Sequence, residues 1–530
     1  MDGIESTAAA TRGGMRVGAR RTLAIALVLL AAAMGVLTAR VGGDPDHAAA
    51  AGRAPASTPA AGAPPAAAQP PATPPTSTLL LDARHPGRTV PADYLGLSFE
   101  VSDLRQIAQY GERGDLVALL RSLGPGVLRF GGVSADTRVA WRDPLTPAPP
   151  WTSQVIEPSD LTALARLARE SGWRVLLTVG LAHYEPLAAA REVAAAKRAL
   201  GPWLAGVEVG NEPDAYGRHA FRSEPWTFAR YNGEVRAYRN AIRKLVRGIA
   251  LAGPGVSGSH AFARWGPREV VGERPALLTG HHYPLGCHQE PQPSIPELLS
   301  PKIRVMEGRS LHRYLRVARA SGIPFRMDEA NSVSCGGRAG ISNTFAAALW
   351  ATGYIAQSMA AGASGINFEG NPANCFGYTA VCAPNAARLA SGGLNAQPLW
   401  YALLMTRGLV GDRPIRAALH ARGSANLAVS AFVARNGSLE LVLVDDEPPG
   451  SAPATVRVKV GRRFAAASVL TLAGPRQEAT SGVTLGGRAV RAGGTWSEPA
   501  GLPRVPVRGG ALPLTLAPST AELVTVTRAG

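Results

Sequence analysis

The sequence predicts a (β/α)8 barrel followed by an all-β sandwich, on three observations. Eight short apolar runs alternate with amphipathic segments between about residues 90 and 370. After about residue 410 the pattern changes to period-two alternation with no convincing helix. Polar residues, four of them carboxylates, stand where the barrel strands end.

The strand-like runs are YLGLSFE (94–100), GVLRFGG (126–132), WRVLLTVG (173–180), LAGVEVGN (204–211), GIALAGP (248–254), LLTGHHYP (277–284), IPFRMDE (323–329) and GINFEGN (365–371). Between them lie helical patterns such as LTALARLARESG (161–172) and FARYNGEVRAYRNAIRKL (228–245). No GxGxxG follows the first strand, which removes the support a dinucleotide-binding open sheet would need. Past the barrel, NLAVSAFVARNGSLELVLVDD places two alternating runs around Asn436-Gly437, a hairpin signal stronger than the glycosylation sequon it overlaps. TLLLDA (78–83) precedes the barrel and is expected to add a strand to the sandwich.

The domain plan is then a leader over 1–47, a linker over 48–77, a sandwich strand over 78–88, the barrel over 89–410 and the sandwich over 411–530. The leader has Arg20-Arg21 before an uncharged, Leu/Ala-rich run of 18 residues, 22–39. That run reads as a signal peptide or a membrane anchor, and either sends the chain across a membrane. The Pro/Ala/Thr-rich linker cannot build a core and reads as a semi-extended tether. The expected location is outside the cytoplasm, secreted or anchored.

Export gives meaning to the four cysteines, Cys287, Cys335, Cys375 and Cys382. An even number in an oxidising compartment suggests two disulfides. Cys375 and Cys382 can close a small loop, which pairs Cys287 with Cys335. No CxxC is present, and His281 and His282, adjacent on a strand, are expected on opposite faces, so no metal site is predicted. The formal charge of +17 comes almost wholly from scattered arginines, with lysine only at Lys197, Lys244, Lys302 and Lys459. No dense basic run supports a nucleic-acid partner.

Chemistry in such a barrel gathers at the C-terminal strand ends. Glu212 closes the fourth strand and Glu329 the seventh, so the two can face each other across the mouth. Two carboxylates about 5 to 5.5 Å apart suit a general acid/base and a nucleophile for retaining glycoside hydrolysis. Asn211 can hydrogen-bond a sugar hydroxyl beside the reacting carbon, and Pro213 fixes the turn. Arg129 and Tyr283 are expected beside Glu329 and would favour its ionised form, which makes Glu212 the acid/base and Glu329 the nucleophile. Asp328 is expected to point away from its neighbour and to be structural. Glu369 reads as structural or as a subsite contact. Trp350 and Trp400 read as core.

VEVGNEPD (207–214) with FRMDEANSVSCGG (325–337) resembles the paired signatures of clan A retaining glycosidases, and more narrowly glycoside hydrolase family 79, which holds β-glucuronidases and heparanases. LRFGG (128–132), HHYP (281–284), SNTFAAALW (342–350), NCFGYT (374–379) and LWYALLMTRGLVG (399–411) carry the likeness in order, over about residues 78 to 530. The resemblance implies Glu212 as proton donor and Glu329 as nucleophile. It implies that Tyr283, Tyr378 and the backbone at Gly336, Gly337 and Gly377 hold a uronic acid carboxylate. It also implies sugar contacts from Glu100, with help from Ser134 and Asp136. Val133 departs from the pattern, since a polar residue is expected after Gly-Gly.

The expected activity is removal of β-linked glucuronic acid, or its 4-O-methyl derivative, from a glycoside or polysaccharide, with no cofactor. A heparanase-like endo-acting enzyme, another clan A glycosidase and a non-catalytic carbohydrate-binding surface protein are the alternatives.

Overall fold

The computed structural model describes residues 76–421 and 425–529. The leader, the predicted membrane segment and most of the linker lie outside the described residues. Among the described residues no helix is long and apolar enough to cross a membrane.

Eight parallel strands close into a barrel. In order they are Leu95–Glu100, Val127–Gly131, Arg174–Val179, Leu204–Val209, Leu251–Val256, Leu277–His282, Phe325–Ala330 and Gly365–Glu369. The first joins the eighth through Ile366 paired with Leu95. Each strand lies on its predicted run, but the fifth sits toward the end of GIALAGP and beyond it. Gly253, Pro254 and Gly255 fall inside this strand and blur its alternation.

The barrel interior is layered. Val127, Leu176 and Ala252 form an apolar floor, with Leu277 packed against them. Above them come buried polar residues: Ser98, Arg129, Thr178, Glu208, Thr279 and Asp328. Burying so many polar groups costs several kcal/mol unless each is paired, so this layer is organised around charge.

Helix Pro301–Ser321, outside the barrel, ties it to the following domain. Arg304 pairs with Asp446 at 2.5 Å and donates to Asn426 at 2.7 Å. Helix Phe345–Ala361 and helix Pro398–Thr406 are apolar almost all round, and every residue of the second is buried. Such helices must be covered on all faces. The beginning of the first is closed by the sheet domain, with Phe345 N donating to Ala479 O at 2.8 Å and Ala346 N to Gln477 O at 2.8 Å. Trp350 and Trp400 are buried in this zone.

The second domain is a ten-stranded, mostly antiparallel sheet. The strand Thr76–Asp82 joins it, antiparallel to Arg413–His420 and parallel to Ala454–Lys459. Leu79, Val456, Val458, Leu512 and Leu514 from one part pack with Leu441, Leu443, Val524 and Val526 from the other, giving the enclosed core of a sandwich. Leu427–Val433 and Leu439–Asp445 form the hairpin signalled by Asn436-Gly437, with Gly437 at φ +81.

Candidate active site

Arg129 is the centre of the barrel mouth. It is fully buried, on the second strand, and it touches six side chains, one of them His281, whose Nε2 lies 3.4 Å from Nη2. Its Nη1 donates to Glu329 Oε2 at 2.7 Å and to Ser98 Oγ at 3.1 Å. Its Nη2 donates to Asn211 Oδ1 at 2.8 Å and reaches Glu208 Oε2 at 3.4 Å, while Nε lies 3.2 Å from Asp328 Oδ2. The Gly-Gly that follows makes room for it: a Cβ at Gly131 would fall 2.6 Å from Arg129 Nη2, and Gly132 has φ +74. Arg129 therefore orders the ends of the fourth and seventh strands at once. It is 0% exposed and lies beside Glu329, as expected.

Asp328 corrects an expectation. Alternation along the seventh strand puts it inside the barrel, where it accepts from Gly280 N at 3.0 Å and pairs with Arg129. Glu329 would then face outward, but the pairing register shifts between Met327 and Glu329, and this bulge turns Glu329 into the mouth as well. Both neighbours thus pair with the same guanidinium, Glu329 by a hydrogen bond and Asp328 by charge at 3.2 Å.

Glu212 reaches the mouth by a different backbone device. It lies in the left-handed region at φ +50 and ψ +50, before the turn Pro213–Ala215, with its N–H donating to Gly255 O at 2.9 Å. A non-glycine residue there costs about 1 kcal/mol. Its side chain is 27% exposed, against 9% for Glu329. His281 stands between them, Nδ1 at 2.9 Å from Glu212 Oε1 and 3.6 Å from Glu329 Oε1. The facing oxygens of the two glutamates lie within 4.8 Å of each other.

Electrostatics separate the groups. Burial alone would push the Glu329 carboxyl up, but His281, Arg129 and the Tyr283 hydroxyl outweigh it and hold it below the ordinary carboxylate range. Burial pulls His281 down, yet Glu329, Glu212 and Asp328 outweigh that and raise it to about 10. It is then an imidazolium at neutral pH. Glu369 ends the eighth strand, 5% exposed, with Oε2 lacking a partner. Burial first, then the charges of Glu329 and Glu100, push its carboxyl well above the ordinary carboxylate range.

Tyr283 donates to Glu329 Oε1 at 2.9 Å and its hydroxyl lies 3.3 Å from that of Tyr378, the rings being stacked at 5.7 Å. Tyr378 N donates to Gly336 O at 3.1 Å. The N–H groups of Gly337 and Gly377 are committed to turns, on Ser334 O at 3.3 Å and Asn374 Oδ1 at 3.2 Å. Gly336 N–H faces the Tyr378 hydroxyl, where a backbone hydrogen bond favours the ionised phenol against its burial. Disulfides Cys287–Cys335 and Cys375–Cys382 tie the loops that carry these groups.

Two more candidates turn out to be inward-facing. Asp136 is 1% exposed; its Oδ1 accepts from Leu181 N at 2.7 Å and Ala182 N at 2.9 Å. Its Oδ2 accepts from Asn211 N at 2.8 Å and Tyr216 Oη at 2.7 Å. With four donors satisfied it positions Asn211 instead of meeting sugar. Ser134, fully buried, bonds Glu100 through its hydroxyl and its N–H. Glu100 remains half-buried at the mouth, and Val133 beside it is 43% exposed.

Sequence reasoning missed Glu208 and His281. Glu208 was hidden inside an apolar run, though its inward parity with Gly206 and Gly210 marked it. His281 carried a signal in its place at the end of the sixth strand. His282 points the other way, stacked on Tyr354.

Neither a scan against family profiles nor a search of curated proteins finds a match. Solved structures do share the fold. A 4-O-α-L-rhamnosyl-β-D-glucuronidase from Fusarium oxysporum 12S superposes with a TM-score of 0.67 at 19% identity, over 84% of this chain and 100% of its own. A GH51 arabinofuranosidase from Xanthomonas axonopodis pv. citri gives 0.64 at 14%, over 86% and 100%. The catalytic domain of GH30 xylanase C from Talaromyces cellulolyticus gives 0.53 at 13%, over 85% and 100%. The barrel with its appended sheet is thus the fold of these glycoside hydrolases.

Proposed function

We propose that the chain is an exported retaining β-glycosidase that removes β-linked glucuronic acid, or its 4-O-methyl derivative, from glycosides or polysaccharides. The observation that carries this reading is the approach of Glu212 and Glu329 to within 4.8 Å, with His281 between them. That spacing favours direct attack by one carboxylate over an inverting site, which needs about 6.5–9.5 Å to admit water.

Glu329, ionised and ordered by Arg129 and Tyr283, attacks the anomeric carbon. Glu212, the more exposed of the pair, protonates the departing oxygen. When the glycosyl ester forms, the negative charge on Glu329 disappears, while His281 keeps Glu212 at 2.9 Å and Asp328 at 3.9 Å. In the second step the Glu212 carboxylate takes a proton from the incoming water. Asn211, held through Oδ1 by Arg129, presents its amide NH2 to the sugar. No cofactor enters these steps.

The Tyr378 hydroxyl, 3.3 Å from that of Tyr283, keeps its own hydrogen to donate to a uronate without a fixed cation. The fold shared with the Fusarium oxysporum glucuronidase supports a glucuronide substrate. The two disulfides and the leader support export.

A panel of chromogenic β-glycosides tests the reading with wild type, Glu212→Gln and Glu329→Gln. Wild type should turn over the glucuronide, and the Glu212 variant should lose about 10²–10⁴-fold. Turnover by Glu329→Gln at the wild-type rate would end the account.

A further inference from the structure

Beside the mouth, behind the ends of the second and third strands, lies a separate small cavity of about 30 Å³. Its lining includes Trp141, Trp151, His183, Glu185 and Glu192. Space of this size holds one or two water-sized groups, and no sugar ring. Glu192 projects into it from helix Pro186–Leu200 and is 7% exposed. Its carboxyl has no hydrogen-bond or ion-pair partner among the described residues, although buried carboxylates are almost always paired.

The chemistry of the lining is one-sided. The two indole N–H groups are already used, Trp141 Nε1 on Asp143 Oδ2 at 3.0 Å and Trp151 Nε1 on Glu185 Oε1 at 3.2 Å. Trp151 stacks on His183 at 3.9 Å, forming an aromatic wall. Burial keeps His183 below its ordinary range, so its ring stays neutral and offers an acceptor. The nearest cation in the helix, Arg191, is spent on Leu145 O at 2.6 Å and Thr146 Oγ1 at 2.8 Å. The lining thus holds two carboxyl groups, an imidazole and aromatic faces, and no lysine or arginine.

We infer that this cavity is a binding site for a compact monovalent cation, taken up by Glu192 between Glu185 and the Trp151–His183 stack. Ammonium, the head of a primary amine and potassium share the required charge and size, and all are compatible with aromatic walls. The site adjoins the mouth through Asp136, which bonds Leu181 and Ala182 on this loop and Asn211 in the mouth. Burial alone raises the Glu192 carboxyl to about 8. It is therefore protonated at neutral pH, and cation uptake displaces a proton.

The test is calorimetric titration of the full chain at pH 7 with potassium chloride, ammonium chloride and methylammonium chloride. Tetramethylammonium chloride serves as the ionic-strength control, and each titration is run in two buffers of different ionisation enthalpy. The inference predicts saturable binding of at least one of the three small cations, none of the control, and release of up to one proton per cation. Glu192→Gln, which keeps the shape of the side chain, should fold with unchanged far-ultraviolet dichroism and lose both binding and proton release. The cation that binds identifies the source: potassium alone marks an alkali site, and methylammonium marks an amine pocket. Absence of saturable binding for all three would overturn the inference, as would binding that Glu192→Gln retains. Because the readout is binding, it stands or falls independently of glycoside turnover.

Discussion

Arg129 and Glu329, 200 residues apart in sequence, meet in a 2.7 Å ion pair inside the barrel, with Arg129 wholly shielded from solvent. The same guanidinium holds Asn211 at 2.8 Å, so one side chain sets the positions of the proposed nucleophile and the proposed sugar-binding amide together. A lysine ammonium is a point donor and cannot span both. Arg129→Lys should lower kcat by at least about 10²-fold. Removing the charge altogether with Arg129→Met should destabilise the fold by about 3–5 kcal/mol, because buried carboxylates lose their partner. Steady-state kinetics and denaturant unfolding check the two effects separately.

His281 gives stability a pH signature. Its folded value, about 10, lies above the ordinary 6.5, so the folded state binds the proton more tightly than the unfolded one. The stabilisation is complete below about pH 6.5 and is lost as pH rises through about 10. Thermal melts of wild type and His281→Gln should therefore differ most at the acid end of this window and converge at its alkaline end. A difference that grew with pH would contradict the imidazolium.

Tyr378 is set apart from its neighbour by what it touches. Tyr283 bonds Glu329, the proposed nucleophile, whereas the Tyr378 hydroxyl meets that of Tyr283. Tyr378→Phe should raise KM for glucuronides by about 10-fold, the loss of one hydrogen bond to a charged group, and leave activity on uncharged β-glycosides unaltered. Tyr283→Phe should instead depress kcat on every substrate. Equal losses across substrates for Tyr378→Phe would remove it from uronate recognition.

Asp136 acts at a distance from the sugar. Asparagine there keeps the size but turns an NH2 toward donors, leaving buried N–H groups unpaired at about 1–3 kcal/mol. Asp136→Asn should lower kcat through displaced Asn211 and Glu212, and destabilise the protein, while KM changes little. A large KM effect with normal kcat would make it a substrate contact after all.

Much of this architecture could be read from the sequence because strand endings and helix patterns are local signals. Glu212 and Glu329 stood out for that reason, and both cysteine pairs followed from number and spacing. Local alternation failed at Asp328, where a bulge brings two consecutive side chains into one mouth. Asp136 and Ser134 were misread because nothing local tells a carboxylate that meets sugar from one that meets backbone N–H groups across the barrel. Glu208 escaped notice since an apolar run conceals a buried charge, and the arginine that balances it lies 79 residues earlier. Pairings at that range are set by the closed sheet.

The central claim is a glycosyl ester on Glu329. Incubation with a 2-fluoro-β-glucuronide carrying an activated leaving group, followed by peptide mass spectrometry, tests it most directly. The account predicts one fluoroglucuronosyl group per chain, on the peptide that contains Glu329. A label on Glu369 or Glu212, or turnover that releases the α-anomer first with no label, would contradict it.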